Sequence, residues 1–116
     1  MPINSRLKGK RGELEWAGYL REKFGCANAH RGQQFRGGAD SPDCMDGIPS
    51  TYVEVKRTEH LRLHEAVSQA VRDAGDGNVP YVAHKANRKP WLVTVRASDL
   101  LDLARLVVEN YREAEL

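Results

Sequence analysis

Three observations predict an α/β (α+β) domain with a mixed central sheet. Apolar residues recur at helical spacing in three separate segments, 13–24, 63–74 and 100–111. Strand-like runs occupy 51–57, 79–84 and 91–96, with Gly, Pro, Asn and Asp clustered between them. Helical and strand segments also alternate with no repeat, low-complexity tract or dividing linker, so they belong to one layered unit. The chain of 116 residues can bury a core without staples. The expected division is a basic N-terminal arm, 1–12, and a single domain, 13–116.

Residues 1–12 show no periodicity and read as that arm. In the first helix Trp16, Ala17, Leu20 and Phe24 form one stripe, and Glu13 lies on the same stripe. A carboxylate aligned with a core-facing stripe needs a partner. Gly25 suits a helix C-cap. Residues 27–36 read as a strand, and Gly37 and Gly38 allow a sharp turn after it. Asp43 opens a short strand, the GIPS tetrapeptide turns the chain, and 51–57 completes an expected hairpin. Leu63, Ala66, Val67, Ala70, Val71 and Ala74 mark the second helix, stopped by DAGDG. Two strands joined by the basic loop KANRKP follow. Ser98 or Asp99 can cap a last helix whose buried face is Leu100, Leu103, Ala104, Val107 and Tyr111.

With 41% apolar and 29% charged residues the composition is that of an ordinary globular protein. No apolar run reaches the roughly 20 residues that span a bilayer, and the N-terminus lacks a signal-peptide core, so a cytoplasmic location is expected. Cys26 and Cys44 have no metal-type spacing and read as reduced. The net charge is only +2, but the positive residues cluster. Lys8, Lys10 and Arg11 precede Glu13, Arg31 and Arg36 lie in an acid-free stretch, and Lys85, Arg88 and Lys89 form a third group. Such clusters suit a polyphosphate. His60 and His64 lack a third zinc-type ligand, and Gly9 and Gly12 follow no strand and so make no phosphate loop.

The stretch 42–56, PDCMDGIPSTYVEVK, carries the chemistry. A strand puts Glu54 and Lys56 on one face, roughly 7 Å apart, with Val53 and Val55 on the other. Mg²⁺ prefers one or two protein carboxylates, several waters and substrate phosphate oxygens. Asp43 and Glu54 can supply the carboxylates, the carbonyl of Val55 can complete the set, and Mn²⁺ is expected to substitute. Lys56 is then available to orient or deprotonate an attacking water or to stabilise the charged phosphorus. Asp40 and Asp46 compete with Asp43 for the ligand role.

Pro42-Asp43, ten residues containing a turn, and Glu54-x-Lys56 on a β-branched strand match the signature of the PD-(D/E)XK nuclease superfamily, which this chain resembles. KGKRGELEWAGYL, 8–20, is similar to the first motif of archaeal-type Holliday junction resolvases. GADSPD, YVEVKR, a Gln-bearing helix and NRKPWLVTV, in that order, are similar to small resolvase-like endonucleases often encoded by phages. The likeness covers 8–96. It implies a restriction-endonuclease-like αβββαβ core, extended here by a strand and a helix. It also implies that Glu13 meets a metal directly or through water, that Asp43 and Glu54 are the central ligands, that Lys56 is the catalytic lysine and that Gln69 supports the site. Archaeal resolvases carry a serine in the loop before Pro-Asp; RGQQFRGGADS lacks an obvious equivalent, leaving Arg31, Gln34 or Arg36 to contact the scissile phosphate. With Arg57, these residues and the basic clusters above form the expected DNA surface. The implied activity is Mg²⁺-dependent endonucleolytic cleavage of branched DNA by a homodimer. The rivals are a non-catalytic DNA-binding module on the same fold and a nuclease for flaps, nicked duplex or a specific sequence.

Overall fold

A computed structural model describes residues 5–32 and 43–115. The chain runs as α1 (Ser5–Lys23), β1 (His30–Arg31), β2 (Cys44–Met45), β3 (Thr51–Arg57), α2 (Leu63–Ala74), β4 (Val79–Lys85), β5 (Leu92–Thr94), a 3-10 turn (Ala97–Asp99) and α3 (Leu100–Ala114). Two sheets form. The larger has the order β3-β4-β5, with β3 parallel to β4 and β4 antiparallel to β5, so the fold is α+β with a mixed three-stranded sheet. The smaller is the antiparallel pair β1-β2. Among the described residues no helix is long and apolar enough to cross a membrane.

Parallel strands need a crossover, and α2 supplies it. Its Ala66 and Ala70 pack with Val82 on one face of the sheet. On the opposite face Trp16, Ala17 and Leu20 of α1 meet Val53, Val55, Tyr81 and Ala83. The Trp16 indole stacks on Tyr19, crosses Phe24, Tyr81 and Trp91, and donates a hydrogen bond to the Tyr81 hydroxyl. Leu103 of α3 joins the same cluster, and Asn110 donates to the Phe24 carbonyl. Gly25 ends α1 with φ 72°, and a Cβ there would lie 2.8 Å from Ala114, so both the turn and the close approach of α3 require glycine.

Several expectations are corrected. The first helix starts at Ser5, so most of the anticipated arm is helical. Leu, Lys and Arg are strong helix formers, and they extend α1 beyond the stretch whose face is buried. The expected strand 27–36 is reduced to His30–Arg31 within the described residues; 33–36 lie outside them. Most importantly, β2 pairs with β1 and not with β3, so the anticipated hairpin ladder does not form. The last strand is also shorter than the expected 91–96, spanning Leu92–Thr94, and Trp91 just before it packs against Trp16. Asp99 precedes α3 without capping it, since its carboxylate accepts from Arg96 Nε at 2.8 Å.

Gly12 shows how tightly α1 sits on the sheet. A Cβ at this position would lie 2.7 Å from Arg57 Cβ, whereas one at Gly9 would meet nothing within 4 Å. Both residues are helical, so alanine propensity favours either replacement by about 1 kcal/mol. Gly9→Ala is therefore expected to stabilise the fold by up to about 1 kcal/mol. Gly12→Ala is expected to cost about 1–3 kcal/mol through overpacking. Urea denaturation of the two variants checks this, and equal effects would show that the helix is free to move off β3.

Candidate functional site

Asp43 is buried, and its Oδ2 accepts a hydrogen bond from the Val55 amide at 2.7 Å. This replaces the missing ladder between β2 and β3: a side chain, not a main chain, meets the free edge of β3. A strand residue sends its N–H and C=O to the same side, so the Val55 carbonyl lies on the edge that Asp43 occupies. Asp46, by contrast, is an exposed turn residue at φ 55°, 3.8 Å from His30 Nδ1. Asp40 lies outside the described residues.

Glu54 projects from the opposite face to Val53 and Val55, as strand alternation requires, but that face is not open to solvent. Glu54 pairs in register with Val82, against which α2 packs, and it is only 6% exposed. Lys56 Nζ lies 3.3 Å from Glu54 Oε1. Burial pushes the Glu54 carboxyl above the ordinary carboxylate range; Lys56 opposes the shift, and Asp73 and Glu13 add to it. Asp73, on the last turn of α2, was not singled out from the sequence. Nor was His84, which the parallel register sets directly beside Lys56. His84 Nε2 lies 2.9 Å from Thr94 Oγ1, and burial pushes its pKa down, favouring a neutral imidazole next to the lysine. Writing β3 and β4 in parallel register is the signal that would have found it.

Glu13 is buried on α1, and its Oε1 accepts from Arg31 Nε at 2.7 Å. The partner that its position demanded is thus a residue expected to contact phosphate. The Cys44 thiol donates to the Glu13 carbonyl, and burial together with the neighbouring Asp43 and Glu13 pushes its pKa up to about 12, which removes it as a nucleophile.

Asp43, Glu54 and the Val55 carbonyl are hard oxygen donors of the chemical kind that Mg²⁺ accepts while keeping waters and phosphate oxygens. Among the described residues no three His, Cys, Asp or Glu side chains cluster closely enough to hold a metal ion. Gln69 is half-buried on α2 beside His64, Glu65, Ser68 and Arg72, with no hydrogen bond to Glu54 or Lys56 among the described residues. The structure thus does not tie it to the carboxylates.

The basic residues separate into two kinds. Lys10, Arg11, Arg88 and Lys89 are exposed, and Lys8 and Lys85 are half-buried. Arg57 is held between Glu15 and Asn87, and Arg31 is held by Glu13. Gln34 and Arg36 lie outside the described residues. Compared with protein-family models, curated proteins and solved structures, the chain matches none.

The raised Glu54 pKa has a measurable sign. The folded chain holds this proton more tightly than the unfolded chain, so the stabilisation present at low pH is lost as pH rises through the folded pKa. Glu54→Gln keeps the shape without the charge. In chelator it is expected to melt above wild type at neutral and alkaline pH, with the gap closing towards roughly pH 4, the ordinary carboxylate range. A lower melting temperature than wild type at alkaline pH would mean that the Lys56 pairing outweighs burial.

Proposed function

We propose that this chain is a metal-dependent DNA endonuclease of the PD-(D/E)XK type, with branched DNA, a four-way junction first, as its substrate. The observation that carries this reading is the buried Asp43 carboxylate seated on the Val55 amide, between Glu54 and its partner Lys56. The element order, a helix, three strands, a helix and a strand, followed by one more strand and helix, is compatible with an extended αβββαβ core, although β1 and β2 pair apart from β3. The preference for a junction rests on the motif resemblance.

Asp43, Glu54 and the Val55 carbonyl would hold Mg²⁺, with Mn²⁺ able to replace it. When bound, the cation lowers the pKa of a water and neutralises charge building on the phosphoryl group. The chain's own groups do the rest. The Val55 amide fixes the Asp43 carboxylate, so its position does not depend on the ligand. Lys56, 3.3 Å from Glu54, is placed to orient the attacking water or to stabilise the charged phosphorus. Glu13, held by Arg31, would act from the helix side through a bound water. Exposed Lys10, Arg11, Arg88 and Lys89 would bind backbone phosphates, giving a strong salt dependence. Symmetric cleavage of a junction needs two such centres, hence a homodimer.

The test uses labelled four-way junction and matched linear duplex with Mg²⁺, Mn²⁺ or chelator, for wild type, Lys56→Ala and Asp43→Asn. Wild type is expected to cut the junction only with metal, leaving paired symmetric nicks. Each variant should bind DNA but cut at least about 10²-fold more slowly. Wild-type protein that binds both DNAs and cuts neither with either metal would refute the proposal. Cutting of the duplex alone would refute the junction preference.

A further inference from the structure

The first three turns of α1 carry an arrangement that the catalytic centre does not use. Leu7, Lys10, Arg11 and Leu14 fall at i, i+3, i+4 and i+7, so two leucines bracket two cations on one helix face. Leu7 is 63% and Leu14 50% exposed, so neither serves the core. Together with Lys8 this face forms one wall of a surface cavity of about 550 Å³. Arg57 at the end of β3 and Asn87 after β4 form the other wall. Among the described residues four cations and no carboxylate line the cavity.

The far wall is held in place from several sides. The Arg57 side chain is only 11% exposed, and its Nε is shut from solvent without a hydrogen bond, 3.4 Å from Glu15. Its Nη1 donates to Asn87 Oδ1 at 2.8 Å. The Asn87 amide nitrogen of the main chain donates to Glu59 at 2.7 Å, and Glu59 lies 4.0 Å from Lys8 Nζ. Because Arg57 engages the Asn87 side-chain oxygen, the side-chain N–H donors of Asn87 are left for a ligand.

An intact duplex presents sugar and phosphate to such a surface, and phosphates alone would leave the two leucines with nothing to cover. A nucleotide drawn out of its stack presents an apolar base face and a phosphate within one unit. Leucines are among the side chains that support unstacked bases, and cations take the phosphates beside them. We infer that this cavity is a subsite for an unpaired deoxynucleotide: base against Leu7 and Leu14, phosphate on Lys10 and Arg11, base edge within reach of Asn87. Val55 and Arg57 share the face of β3 towards α1, roughly 7 Å apart. The unpaired nucleotide therefore lies on the α1 face of β3 beside Val55, across the strand from Glu54 and Lys56. Its placement beside a cleaved bond rests on the nuclease proposal, and it narrows the substrate to DNA with a single-stranded discontinuity, such as a fork, flap or open junction.

The test reads binding alone, in chelator, by fluorescence anisotropy. The probes are a blunt duplex and the same duplex with a short single-stranded tail. Wild type is expected to favour the tailed DNA. The double variant Leu7→Ser/Leu14→Ser changes exposed positions, and its circular dichroism and melting curve should match wild type. It is expected to lose about fivefold or more in affinity for the tailed probe, the weight of one supported base, with the blunt duplex unchanged. Lys10→Ala should weaken the tailed probe more than the blunt duplex and reduce the salt slope for the tailed probe by about one. Equal wild-type affinity for the two probes would overturn the inference, as would a tail preference that survives in the double variant. The two proposals fail separately. A chain that prefers the tail but never cuts keeps the subsite and loses the nuclease, and one that cuts but ignores the tail does the reverse.

Discussion

The structure depends on one hydrogen bond, from the Val55 amide to the Asp43 carboxylate. β3 is an edge of the three-stranded sheet, and Tyr52 to Val55 are buried. A buried strand edge cannot leave its amides unsatisfied, because water is not there to replace the missing partner. A neighbouring strand would normally fill that edge. Here β2 is two residues long and paired with β1, and the carboxylate of the residue before it fills the edge at Val55. The residue that the proposal makes the central metal ligand is also the one that closes the fold at this point.

Burial on both faces of β3 has a second consequence. Because β3 and β4 are parallel, the crossover helix must lie across the sheet, and α2 covers the face from which Glu54 projects. A charge pattern that on an exposed hairpin would serve solubility becomes a desolvated acid with one close lysine. Desolvation opposes ionisation of Glu54, and Asp73 and Glu13 reinforce it. A carboxylate in that state gains from an added positive charge far more than a surface carboxylate does, since the cation is less screened there.

Much of this was legible in sequence, and the exceptions have physical causes. Periodicity located the helices and β3, because Trp16, Ala17 and Leu20, Ala66 and Ala70, and Val53 and Val55 do face a core. Of the face expected for α3, however, Leu103 is buried and Val107 half-buried while Leu100, Ala104 and Tyr111 are exposed, because only one edge of that helix reaches the aromatic cluster. Glu13 stood out for the same reason: a charge in register with a buried stripe needs a partner. That the partner is Arg31 was not readable, since an ion pair across 18 residues leaves no local pattern. The start of α1 was missed because its first two turns bury no apolar face, so propensity, not periodicity, carries them. The hairpin was expected because sequence shows strand-turn-strand spacing but not which partner fills an edge. His84 and Asp73 enter the site through strand register and helix packing, both long-range properties.

α1 links the buried acid Glu13 to the cationic cavity. Gly12 lets its backbone approach β3 so closely that a Cβ there would collide with Arg57. On one side of that contact the next residue, Glu13, turns inward to the Asp43 edge. On the other, Arg57 lines the cavity opposite Lys10, Arg11 and Leu14 and is held by Glu15 and Asn87. A single close crossing therefore sets both the carboxylate of the candidate centre and the cationic wall of the cavity on one rigid support. The separation between them is fixed by about two residues of strand, not by a flexible arm. Had residues 5–12 been a mobile tail, the cations would attract DNA without registering it. As a helix clamped on β3, they are fixed relative to Glu13, and under the proposed reading they would hold a phosphate at a defined distance from it.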